Sequence, residues 1–122
     1  MSATFYAYPN CDSCRKARRW LDEHGVAYSE RNIATDPPSV ATLRELQARA
    51  GVPLRRLFNT SGQLYRSGEY ARRLPTMDDD AARAELAAHG MLIRRPLLLL
   101  GEMAVIGFQP DEYAACLAAM RA

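Results

Sequence analysis
From its amino terminus the chain switches several times between the two-residue period of strands and the 3.6-residue period of helices. Thr4-Phe5-Tyr6-Ala7-Tyr8 is rich in aromatic residues and stops at Pro9-Asn10, which predicts a short strand and a tight turn. A helix is predicted from about Asp12. Its apolar members Ala17, Trp20 and Leu21 recur on one face, and Gly25 supplies a stop just after His24. Val26 to Ile33 reads as a second strand. Thr35-Asp36-Pro37-Pro38 offers a cap and prolines tolerated in a first turn, so a helix through Val40, Leu43, Leu46 and Ala50 is expected, ended by Gly51.

Between Pro53 and Tyr70 the periodicity fades, and Asn59-Thr60-Ser61-Gly62 marks a turn. Asp78-Asp79-Asp80 places acids at the start of an Ala-rich helix reaching Ala88, where they complement its dipole. Pro96 to Leu100 is a wholly apolar strand, Gly101-Glu102 a two-residue turn, and Met103 to Gly107 the hairpin partner. A last helix follows Pro110, with Tyr113, Cys116, Leu117 and Met120 on its inward face. The order is a βαβ unit and a ββα unit joined by helices. It predicts an α/β, thioredoxin-like fold, one domain over residues 1–122, with a helical insertion at about 36–90. Pro96 stands where such folds commonly keep a cis proline facing the active cysteine.

Composition narrows the function. A length of 122 residues suits one core, and 48% hydrophobic with 25% charged residues is a globular balance. A formal net charge of +2 is too mild to imply direct nucleic-acid binding. The pairs Arg18-Arg19, Arg55-Arg56, Arg72-Arg73 and Arg94-Arg95 read as solvated surface. The leucine run is too short to span a membrane, and the first ten residues lack a signal-peptide pattern, so a cytoplasmic location is expected. Three cysteines do not form a secreted disulfide framework; one close pair in a reducing compartment points to redox chemistry or metal.

That pair is Cys11-Asp12-Ser13-Cys14, at a strand-to-helix junction. A helix start brings both sulfurs to unpaired amides and the positive end of the dipole, which favours a thiolate. Arg15, Lys16, Arg18 and Arg19 add positive charge, and Asp12 opposes it. Zinc would need further ligands, yet Cys116 points inward and His24 and His89 read as helix-end residues before glycines, so no metal site is expected.

The run Tyr8-Pro9-Asn10-Cys11-Asp12-Ser13-Cys14-Arg15-Lys16-Ala17-Arg18-Arg19-Trp20-Leu21 closely resembles the arsenate reductase-like family that includes ArsC, YffB, Spx and MgsR. Glu30-Arg31-Asn32-Ile33, Leu57-Phe58-Asn59-Thr60-Ser61-Gly62, Gly90-Met91-Leu92-Ile93-Arg94-Arg95-Pro96 and Ile106-Gly107-Phe108 resemble its later landmarks. The resemblance implies that Cys11 is the nucleophile and that Arg95, beside Pro96, binds an oxyanion, with Arg15 assisting the oxyanion or thiolate. Cys14 matches the redox-switch pair of Spx and MgsR, as the resolving thiol. Two further arginines of the arsenate reductases lack counterparts: Asn59 or Thr60 stands near the first and Ile106 near the second.

The expected function is therefore thiol-disulfide redox chemistry with weak or absent arsenate reduction. No bound cofactor is implied; glutathione, glutaredoxin or thioredoxin would supply electrons. The alternative implied by Spx and MgsR is a redox-sensing transcriptional regulator that binds RNA polymerase through its alpha subunit. Gly51 lies near the region that Spx uses for that contact.

Overall fold
The computed structural model describes residues 3–121. Strands β1 (Ala3–Ala7), β2 (Tyr28–Asn32), β3 (Leu97–Leu100) and β4 (Met103–Ile106) form one sheet in the order β2-β1-β3-β4. β1 runs parallel to β2, as a βαβ crossover through α1 (Asp12–Glu23) requires, and antiparallel to β3, which pairs antiparallel with β4. Between β2 and β3 lie α2 (Val40–Ala50), α3 (Gln63–Ser67), α4 (Tyr70–Arg73) and α5 (Asp79–Ala88), with short 3-10 turns. The helix α6 (Pro110–Arg121) closes the chain. This is the thioredoxin-like α/β plan expected from the order of elements.

The leucine run is explained by burial on both faces of the sheet. Leu98 and Leu100 point, with Phe5, Ala7 and Val105, toward a core completed by Ala17 and Leu21 of α1 and Tyr113 and Cys116 of α6. Leu97 joins Tyr6, Ala104 and Ile106 on the other face, against Leu43 and Leu46 of α2 and Leu86 of α5. Each such leucine contributes about 1.5–3 kcal/mol by leaving water, so two layers of helices hold the strands in place.

Local signals behave as expected at most element ends. Gly51 terminates α2 at φ +65°, and Asp78 caps α5 by accepting the Ala81 N–H at 2.7 Å. His24 and His89 sit at the C-terminal caps of α1 and α5. One cap is corrected: Ser39, rather than Thr35 or Asp36, starts α2, its hydroxyl accepting the Thr42 N–H at 3.1 Å. The two prolines precede the helix because Asn32 first folds the chain back, its side-chain oxygen accepting the Ala34 N–H at 2.9 Å. Not every arginine is idle surface. Arg18 forks onto both carboxylate oxygens of Glu30, at 2.8 and 2.7 Å, and ties α1 to the edge strand β2.

Candidate functional site
The first helix begins where β1 delivers the chain to the carboxyl end of the sheet. Cys11 is its N-cap, with extended backbone and a half-buried side chain whose sulfur accepts the Cys14 N–H at 3.3 Å. The thiol thus takes the place a serine or aspartate side chain would fill at a helix start. Cys14, one turn on, is buried, and its sulfur accepts the Tyr8 N–H at 3.4 Å. Burial first, and then the hydrogen bond with Cys11, push its thiol up to about 12 against the lowering effects of the Tyr8 amide and the Arg95 charge. Both are free thiols.

The hairpin brings Arg95 to the same place. The Arg95–Pro96 peptide is cis, as anticipated, and buried Pro96 accepts the Gly107 N–H at 2.8 Å. The Arg95 guanidinium lies over the Tyr8 ring, 5.4 Å from its centroid, and Nη1 donates to the Met91 carbonyl at 3.4 Å. It makes no ion pair among the described residues. Arg15 is placed differently: it is exposed and paired with the Asp12 carboxylate, so these two charges offset each other beside the thiol.

Arg95 also lines a cleft of about 380 Å³ whose other polar walls are Asn59, Gln63 and Ser67, with Leu64 and Met91 as apolar ones. Of the positions near the missing arginines, Asn59 faces this cleft, Thr60 faces a different cavity, and Ile106 is buried. Among the described residues, no cluster of three His, Cys, Asp or Glu side chains gathers to hold a metal ion. Cys116 lies in the core behind α1, remote from solvent.

Sequence reasoning missed Tyr8 as a working residue. Its ring carries Arg95 and its amide holds Cys14, and the only trace in the sequence is an aromatic residue just before the Pro9 turn. Gln63 and Ser67 gave no signal, because their approach to Arg95 is made by the fold of the helical insertion. Tyr113 was read correctly as core, yet its hydroxyl is buried with no hydrogen-bond partner among the described residues, and burial raises its pKa.

The sequence signature of the ArsC family matches residues 6–116, a span that takes in Tyr8, both cysteines of the pair and the Arg95–Pro96 step. The chain belongs to the ArsC family. This ArsC-family chain is 45% identical over 113 residues to YusI of Bacillus subtilis, an uncharacterized protein, covering 93% of this chain and 96% of YusI. It is 28% identical over 110 residues to the global transcriptional regulator Spx of the same organism, covering 89% and 82% of the two chains. Among solved structures it resembles a possible arsenate reductase from Streptococcus mutans, with a TM-score of 0.81 and 39% identity, over 88% of this chain and 91% of the other. It is an ArsC-family redox protein whose relatives include both reductases and regulators. No helix among the described residues is long and apolar enough to cross a membrane.

Proposed function
We propose that the protein is a thiol-disulfide oxidoreductase acting on organic or protein disulfides. The carrying observation is the inequality of the two thiols: Cys11 caps the helix at the surface while Cys14 is buried and pushed up to about 12. The Cys11 thiolate attacks one sulfur of the substrate disulfide, forming a mixed disulfide and expelling the other sulfur as a thiolate that takes up a proton. Cys14 then loses its proton, attacks Cys11 Sγ and expels the second substrate thiolate. The substrate gains two electrons and the Cys11–Cys14 pair becomes a disulfide, which glutathione, glutaredoxin or thioredoxin reduces again.

Each neighbour has a part in this reading. The Tyr8 N–H and the Arg95 charge both favour Cys14 as a thiolate at the moment it must form. Arg95 also offers a cation to a carboxylate or oxyanion of the substrate, and Pro96 fixes its approach. Arg15 serves by offsetting Asp12. Arsenate suits the site poorly, since one guanidinium and the amide of Asn59 replace the set of cationic donors that a dianion needs.

A second reading is a redox-sensing regulator that binds RNA polymerase through its alpha subunit. It is favoured by the helix cap itself, because closing the disulfide alters the sulfur that accepts the Cys14 N–H and so changes how α1 begins. A pull-down with Cys14→Ser from native lysate separates the two. Mixed disulfides with a reductant or substrate protein support the oxidoreductase; non-covalent recovery of polymerase without mixed disulfides overturns it in favour of the regulator.

A further inference from the structure
A different cavity, of about 560 Å³, lies on the other side of the segment that walls the Arg95 cleft. Its cationic lining is Arg55, Arg56 and Arg94, and its apolar lining includes the Tyr65 ring, Leu74 and Pro75. No carboxylate lines it, and none of the three arginines makes an ion pair among the described residues. Other arginines, such as Arg18 with Glu30 and Arg73 with Glu85, are matched with acids, so the distinguishing feature here is three unmatched guanidiniums around one cavity.

The arrangement follows from the backbone. Phe58 and Ile93 form an antiparallel bridge, flanked by the Asn59 N–H on the Leu92 carbonyl at 2.7 Å and the Arg94 N–H on the Leu57 carbonyl at 2.7 Å. Successive residues of extended chain face opposite sides. Arg94 and Thr60 therefore line the large cavity while their neighbours Arg95 and Asn59 line the cleft. Arg94 is half-buried and positioned: its Nε donates to the Arg56 carbonyl at 3.1 Å, which leaves its two terminal amino groups for a ligand.

We infer that this cavity is a second anion site, separate from the thiol site, which binds an organic phosphate with its phosphate on the Arg55, Arg56 and Arg94 guanidiniums and its organic part against Tyr65, Leu74 and Pro75. Three guanidiniums exceed what one carboxylate needs, whereas a phosphate ester or diphosphate offers several oxygens to separate planar forks. The apolar wall gives the organic part a surface that inorganic phosphate cannot use. The inference is independent of the redox reading, because neither cysteine lines this cavity.

The test is titration calorimetry of the reduced protein with ADP and, separately, with pyrophosphate. ADP is expected to bind with a Kd below about 1 mM in 0.1 M salt, an affinity of only about 4 kcal/mol. Arg94→Gln, and independently the surface pair Arg55→Gln with Arg56→Gln, should each weaken it at least tenfold, while Arg95→Gln leaves it unchanged. Circular dichroism confirms that each variant is folded, and the exposed pair keeps the test open if Arg94→Gln is not. No ADP binding at 5 mM, binding indifferent to the three arginines, or loss in Arg95→Gln alone would overturn the site. Pyrophosphate binding as tightly as ADP would overturn the role of the apolar wall.

Discussion
The Tyr8 backbone N–H donates to Cys14 Sγ at 3.4 Å, so the stretch of chain before α1 holds the buried thiol rather than the half-buried one. Arg95 lies over the Tyr8 ring, which makes one residue the support for both the buried sulfur and the site's cation. The division of labour proposed for the two cysteines rests on this geometry.

Cys14 should titrate far above an ordinary thiol. In Cys11→Ala Cys116→Ala, the thiolate absorbance near 240 nm, taken as the difference from the same variant with Cys14→Ala to remove tyrosinate, is expected to rise only above the ordinary thiol range, because burial, the largest cause of the raised value, is kept while the contribution of Cys11 is removed. A midpoint at or below the ordinary value of about 8.5 would show that Cys14 is solvated and not held as described.

The same shift makes stability fall at alkaline pH. Because the folded-state value lies above the unfolded one, the contribution is complete below about pH 8.5 and is lost as pH rises through 12, since the unfolded chain releases its proton first. Tyr28, also raised to about 12 by burial and its bond to Asp22, acts in the same direction above about pH 10. Urea midpoints for the wild type should drop more steeply between pH 8 and 10.5 than those of Cys14→Ala, a difference on the order of 1–3 kcal/mol. Parallel curves would remove Cys14 from the account.

Mild oxidation should close a Cys11–Cys14 disulfide and leave Cys116 untouched, because buried Cys14 is in contact with half-buried Cys11 at the start of α1 whereas Cys116 is buried on α6. Peptide mass mapping after alkylation of the native protein checks this. A disulfide to Cys116, or its alkylation ahead of Cys11, contradicts the burial argument.

Arsenate turnover with glutathione and glutaredoxin, or with thioredoxin, should be weak beside reduction of a low-molecular-weight disulfide under the same conditions. A charged hydrogen bond is worth about 1.5–3 kcal/mol, so two absent guanidiniums predict a loss of about a hundredfold or more. Efficient arsenate reduction that disappears in Cys11→Ser and Arg95→Ala would show that the single guanidinium suffices.

Gly90→Ala tests the packing of the insertion on the sheet. A Cβ there would lie 1.7 Å from the Ile33 carbonyl oxygen, and the obstacle is backbone that cannot swing away. A loss of about 3 kcal/mol or more is expected from chemical unfolding. A variant within about 0.5 kcal/mol of wild type would mean that the two segments sit farther apart.

What the sequence determined by itself was local and periodic. Ala17 and Leu21 were assigned to the buried face of α1, Pro96 to Leu100 to a wholly apolar strand, and Gly51 to a helix end, since each depends on spacing or backbone preference within a few residues. The Cys11–Cys14 pair was legible for the same reason: three residues at a helix start place both sulfurs near its first amides. Tertiary structure decided what no spacing encodes. Asn32 spent its side chain on a turn and displaced the α2 cap to Ser39, and Glu30 captured Arg18 from twelve residues away. The insertion carried Gln63 and Ser67 to Arg95, while the Phe58–Ile93 bridge sent Arg94 and Arg95 to opposite sides of one wall. These outcomes rest on which distant segments the core brings together, and burial selects those segments by their apolar area, without regard to the polar side chains that arrive with them.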